Sequence, residues 1–337
     1  MGLNQSSSML FGGKTSAFRD GNVKSILQRV FFSTCAFVAL AAVAFIGIDA
    51  LPGDGCTALL GRFGTDEQVS KCRIENELDQ PVIDRLGSWA NDLVHGDLGY
   101  SIKRDQSVDE IIIPRIRNTL FLGLVAAVIA FPSAVVIGLL VGRFPKSRVG
   151  RIINAGSVIM MTLPEFVTAT ILWLVFAIWI PIFPGVTVVS SDASLAELLP
   201  NVWMPALTLA AVVFAHSMRT TRAGVSVVQM MPFIESARLR GTNERVILFR
   251  HILPAALPPV VNAIAVDLAW LFTGTFVTEA VFNYRGLGRL AIDAISDRDT
   301  SLILPIVLFS LAMYLTMSLV ADIVVKILDP RLRVERR

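Results

Sequence analysis

Six long apolar stretches divide the chain. Residues 30–48, 119–142, 198–218 and 300–321 contain no Asp, Glu, Lys or Arg and run for 19, 24, 21 and 22 residues. Residues 152–182 carry only Glu165, and residues 252–282 carry only Asp267 and Glu279. A bilayer core takes about 20 apolar residues in helical form, so the pattern predicts six transmembrane helices. Pro164 beside Glu165 predicts an irregularity in the third, because proline removes a helix hydrogen bond and disturbs the preceding turn. The expected fold class is all-α integral membrane.

The polar segments between these stretches differ in kind. The tail 1–29, the loop 143–151, the segment 219–250 and the residues after 322 hold 19 of the 30 Lys and Arg residues but only five acids. Lys and Arg accumulate on the cytoplasmic side, which predicts cytoplasmic N- and C-termini. Residues 51–115 contain twelve acids, and residues 183–202 contain no Lys or Arg. Both are expected to face outward. The expected division is a cytoplasmic tail (1–29), a first transmembrane helix (30–50), an extracytoplasmic domain (51–115), a five-helix core (116–328) and a cytoplasmic tail (329–337). The first apolar stretch is longer than a signal-peptide core and follows 29 residues, so an uncleaved anchor is expected.

Within residues 51–115, Ile74, Leu78, Val82, Leu86 and Trp89 recur at three- or four-residue spacing and predict one apolar helix face near residues 67–93. The loop fits a cap on the bundle and a docking surface for an extracytoplasmic partner. It also holds Cys56 and Cys72. An oxidising compartment permits a bridge between them, with two unpaired thiols as the alternative, and the bridge is adopted.

Composition removes other classes. Apolar residues make up 54% of the 337, charged residues 17%, and mean hydropathy is +0.64, too little polar surface for a soluble globular enzyme. Net charge is only +3, so general nucleic-acid binding is not indicated. Three cysteines with no CxxC pair offer no zinc or iron–sulfur pattern. No G-x-x-x-x-G-K-[ST] loop cradles a nucleotide phosphate, and no G-x-S-x-G or H-E-x-x-H pattern supports a hydrolase. The chain is therefore expected to be a non-catalytic subunit without a cofactor of its own.

Between the fourth and fifth stretches, residues 229–241 combine Met231, Ile234 and Leu239 with basic residues, small Ser236 and Ala237, and Gly241. A glycine there can end a helix in the left-handed conformation. By itself the segment reads either as a basic membrane-surface helix or as a cytosolic helix with a small-residue notch, in which a Gly241→Val change would crowd the notch.

Glu235, Ala237, Gly241, Leu253 and Pro254 stand in the register of the Glu-Ala-Ala-x3-Gly-x9-Ile-x-Leu-Pro loop, with Ser236 and His251 as departures. The segment thereby resembles the permease subunits of binding-protein-dependent ABC importers. Pro52-Gly53-Asp54, Leu78-Asp79-Gln80-Pro81, Gly96-Asp97-Leu98-Gly99-Tyr100-Ser101, Arg219-x2-Arg222, Glu279-x2-Phe282, Gly286-Leu287-Gly288, Arg298-Asp299 and Asp329-Pro330-Arg331 extend the likeness to almost the whole chain. They are similar to the first permease subunit of the dipeptide/oligopeptide/nickel branch. Departures are Glu77, Arg285 for the usual proline, and Ala265 and Ala269 at frequent glycine positions.

The resemblance implies a second, similar permease, two ATP-binding subunits that hold ATP and magnesium, and a periplasmic substrate-binding protein. It implies an inner-membrane location and import of peptides or peptide-like solutes. It also implies that Glu235, Ser236, Ala237, Arg238 and Gly241 couple the permease to the ATPases. Intramembrane charges cost about 2.5–3.5 kcal/mol on insertion scales, which makes Asp267 the leading translocation-path candidate, for a cationic group, with a structural bond to another helix as its alternative. Glu279 is a second candidate, placed near a span end at the interface, as is Asp322. His216 is expected to pack or hydrogen-bond. A secondary transporter, which would need intramembrane charge pairs and inverted repeats, and a nickel or opine importer permease remain as competing readings.

Overall fold

The computed structural model describes residues 9–50, 55–60, 64–75, 78–101 and 103–328. Pro52-Gly53-Asp54, Glu77 and Asp329-Pro330-Arg331 lie outside them, as does the Asp322 side chain. The chain is almost wholly helical. Helix α1 spans Met9–Asp49, so the first span continues a helix that already runs through most of the expected tail 1–29. After it come α2 (Gly55–Leu60), α3 (Asp66–Glu75) and α4 (Val82–Val94). A two-stranded antiparallel hairpin follows, β1 (Tyr100–Ser101) with β2 (Gln106–Ser107).

The single helix face expected near residues 67–93 is in fact two helices. Pro81, which cannot supply a backbone N–H, stands at the N-terminus of α4. Only the second half uses its apolar positions: Leu86, Trp89 and Leu93 pack with Phe45 of α1, while Ile74 and Val82 are exposed.

Helix α5 (Val108–Arg143) begins before residue 116, so its first turns fall within the segment expected to form the outer domain. Its first turns bury Val108, Ile111 and Ile112 against Leu287, Leu290, Leu302 and Ile306. Helix α8 (Leu195–Gln229) is nearly as long. At one end Arg117 Nη2 donates to the Ala193 carbonyl at 2.5 Å and Asn118 Nδ2 to that of Ser191 at 3.0 Å. At the other, Arg143 Nη1 donates to Gln229 Oε1 at 3.0 Å. The two helices therefore run parallel. Gly138 and Gly142 set their separation: a Cβ on Gly138 would lie 2.7 Å from the Met218 carbonyl oxygen, and one on Gly142 2.9 Å from that of Arg222. Small residues four apart let apolar helices approach this closely.

Parallel neighbours require the chain between them to cross back. That crossing is made by α6 (Arg148–Thr162) and α7 (Glu165–Trp173, continued by a π-helical turn Leu174–Trp179), bent by 117° at Leu163-Pro164. Five unbroken helices plus this broken pair make six candidate spans, and the irregular third span stands where Pro164 predicts it.

After α8 come α9 (Pro232–Leu239), a short α10 (Glu244–Val246), a π-helical turn Ile247–Ile252 and α11 (Leu253–Val281). Helix α11 runs antiparallel to α8 and α5, with Asp267 beside His216 and Glu279 beside Thr119. Helices α12 (Leu287–Asp297) and α13 (Thr300–Leu328) complete the fold. The main core lies between α5, α8 and α11, filled by Leu122, Ala126, Leu198, Val202, Leu209 and Leu271.

Candidate functional site

Helix α9 projects from the end of the bundle that carries the basic segments. Met231 is extended (φ −74°, ψ 141°) and Pro232 opens the helix, its fixed φ already helical. Ile234 and Ala237, three apart, are buried with Leu139, Val225, Val228, Ile247, Ile252 and Ala256. Glu235, Ser236 and Arg238 point away from this core and are exposed. So are Phe233, Leu239 and Met230, the last two 84% and 78% exposed. The small-residue notch is thus only half as expected. Ser236 is on the outer face, whereas Ala237 packs inward.

The helix ends as the sequence predicts. Gly241 N–H donates to the Arg238 carbonyl at 2.9 Å and Thr242 N–H to that of Ala237 at 3.2 Å, the paired bonds of a Schellman ending. Gly241 has φ +75°, and nothing lies within 4 Å of a Cβ placed there. Within this chain a Cβ at Gly241 meets nothing, so what opposes it there is the backbone conformation. Glu244 holds α9 to α5, accepting from Arg238 Nε at 2.9 Å and from Arg143. The pairs are half-exposed, so they orient rather than stabilise.

The acidic side chains Glu165, Glu279 and Asp267 are all hydrogen-bonded. Glu165, first residue of α7, accepts from Thr278 Oγ1 of α11. Glu279, two residues before the end of α11, is fully buried within the protein. Its carboxylate accepts from Thr119 Oγ1 at 2.7 Å, Gly288 N–H at 2.7 Å and Arg289 N–H at 3.1 Å. It thus tethers the first turn of α12, where helix N–H groups lack partners, to α5. A Cβ on Gly286 would collide with this carboxylate and one on Gly288 with the Phe276 backbone, which explains the Gly286-Leu287-Gly288 spacing. Asp267, 8% exposed, is bound by His216 Nδ1 at 2.7 Å and Ser217 Oγ at 2.5 Å. The alternative expected for Asp267, a bond to another helix, is what the fold contains.

At the opposite end two distant motifs meet. Ser101 Oγ donates to Asp299 Oδ2 at 2.5 Å, and Lys103 Nζ to Asp297 Oδ1 at 2.7 Å, fastening the hairpin to the α12–α13 junction. Arg298 turns there in the left-handed region (φ 54°). Cys56 and Cys72 are bridged, with Cα atoms 5.9 Å apart. Among the described residues no three His, Cys, Asp or Glu side chains are grouped to hold a metal. Sequence reasoning overlooked the Gly138-x3-Gly142 contact, although small residues four apart inside an apolar stretch are its signal.

The chain is 29% identical over 315 residues to the oligopeptide transport system permease protein AppB of Bacillus subtilis, an alignment covering 91% of this chain and 98% of that protein. It is 28% identical to the glutathione transport system permease protein GsiC of Escherichia coli, with the same coverage. Among solved structures it is similar to a chain of the inward-facing MetNI methionine ABC transporter, with 18% identity, TM-score 0.47, and coverage of 65% of this chain and 96% of that one. Residues 134–334 match the family described as binding-protein-dependent transport system inner membrane component, and the chain belongs to that family.

Proposed function

We propose that this chain is a permease subunit of an ATP-driven importer for peptides or peptide-like solutes. The observation that carries this reading is the end-to-end match to permeases named for oligopeptide and glutathione transport, each covered over 98% of its length. The proposed assembly adds a second permease, two ATPase subunits that bind ATP and magnesium, and a periplasmic binding protein. This chain contributes no catalysis and no cofactor. Its basic end faces the cytoplasm, following the Lys and Arg bias.

In this assembly α9 is the coupling element. Its inner face is locked to α5, α8 and the turn before α11, so force on Glu235, Ser236, Arg238 and the exposed Phe233 and Leu239 reaches three spans at once. ATP-driven closure of the ATPases then shifts the bundle between its two access states, a population shift powered by differential nucleotide affinity. The test is affinity purification of the tagged chain from its native membrane, followed by reconstitution. Co-elution of ATPase subunits and ATP-dependent uptake of peptides presented by the cognate binding protein are expected. Uptake driven by an ion gradient without ATP would overturn the proposal.

A further inference from the structure

Asp267 is nearly closed to a solute: each carboxylate oxygen already accepts a hydrogen bond, one from His216 and one from Ser217, and the residue is 8% exposed. The open group of this cluster is the imidazole, whose side chain is 45% exposed. An ionised carboxylate only accepts, so Nδ1 carries the proton and the bond fixes the ring. Nε2 then has no hydrogen-bond partner among the described residues.

His216 does not stand alone. On α8 it shares one face with Arg219, Thr220 and Ala223, at i, i+3, i+4 and i+7. Arg219 and Ala223 are exposed, while the flanking Ala215, Ser217, Met218 and Thr221 are buried. Arg222, one turn on, is tied to Asn154 Oδ1 at 2.7 Å. Arg219 is not tied in this way: its guanidinium reaches only Met161 Sδ, at 3.5 Å, among the described residues, and a thioether is a weak acceptor. The open face is bordered by α11, which carries Asp267, and by α6, which carries Asn154 and Met161. His216 lies inside the uncharged run 198–218, and a half-exposed imidazole paired with an aspartate there suits a bundle interior or water-filled cavity better than lipid.

We infer that the His216–Arg219–Thr220 face of α8 lines the translocation path and takes a carboxylate group of the passing solute on the Arg219 guanidinium, while Asp267 holds His216 with its Nε2 acceptor toward the same path. This rests on the proposed importer function and narrows its substrates to solutes bearing a carboxylate. Arg219 supplies the attracting charge and the planar donor fork that suits a carboxylate. The sign is opposite to the one a lone intramembrane aspartate suggests.

The test reads the sign of the field without needing the solute. In the complete complex carrying Cys35→Ser, a Thr220→Cys reporter is exposed to methanethiosulfonates bearing a sulfonate or a trimethylammonium group, with and without ATP. An Ala223→Cys reporter on the same face serves if the first fails to assemble. Relative to each reagent's own rate with a free thiol, the sulfonate reagent is expected to react about tenfold faster than the ammonium reagent, as focused fields concentrate counter-ions. Arg219→Gln is expected to abolish that preference, whereas Asp267→Asn, which removes a negative charge, is expected to leave it intact or raise it. Equal rates, an ammonium preference, or no reaction in either nucleotide condition would overturn the inference, the last meaning that lipid or the second permease covers the face. Loss of ATP-dependent uptake in the parent complex would instead count against the importer function.

Discussion

Gly241 shows how a single backbone angle separates two explanations of one substitution. Its φ of +75° is unfavourable for any side chain with a Cβ, yet the space around it is empty. Gly241→Ala is therefore expected to cost about 1–2 kcal/mol, Gly241→Val more, because a β-branched side chain is a genuine outlier at positive φ, and Gly241→Asn less, because asparagine tolerates the left-handed region. Substrate-stimulated ATP hydrolysis by the reconstituted complex checks this order. An asparagine variant as impaired as the valine one would show crowding by a partner in the assembly. Other residues mark the limit of what sequence reveals. Gly241 was legible because helix termination is local. Asp267 was legible as a costly charge, but its partner His216 lies 51 positions away, and only packing discloses that the carboxylate is already spoken for. The partners of Glu279 were hidden for the same reason: they come from α5 and from the helix that begins after it.

At the scale of elements, uncharged runs announced the spans because lipid leaves no alternative to helix. The start of α5 escaped because Asp109, Glu110, Arg115 and Arg117 interrupt the run, so its first turns resemble loop. Their apolar residues find burial only against α12 and α13. The break at Pro164 was readable, but not the 117° bend or the reach of Glu165 to Thr278. The α5–α8 contact gives a further expectation. Gly138→Leu is expected to force the helices apart at Met218 and Thr221, costing about 1–3 kcal/mol as overpacking does. Thermal unfolding of the purified complex measures it, and an unchanged midpoint would mean that the helices separate freely.

At the scale of the whole molecule, the parallel pair α5 and α8 with a broken span between them ties the two halves of the chain together. Glu165 belongs to the third span, yet its hydrogen-bond donor, Thr278, lies 113 residues downstream in the fifth. A ribosome therefore delivers a carboxylate to the membrane long before it delivers the hydroxyl that satisfies it. During that interval residues 148–179 are expected to rest near the surface or within the insertion machinery, and to settle only when α11 arrives. Nascent chains stalled after residue 230 should leave this segment open to protease, and chains stalled after residue 290 should protect it, with Thr278→Val restoring sensitivity in the longer chain. The bend in the third span thus makes the order of synthesis differ from the order of assembly, and gives this protein a late checkpoint on whether its second half was made correctly.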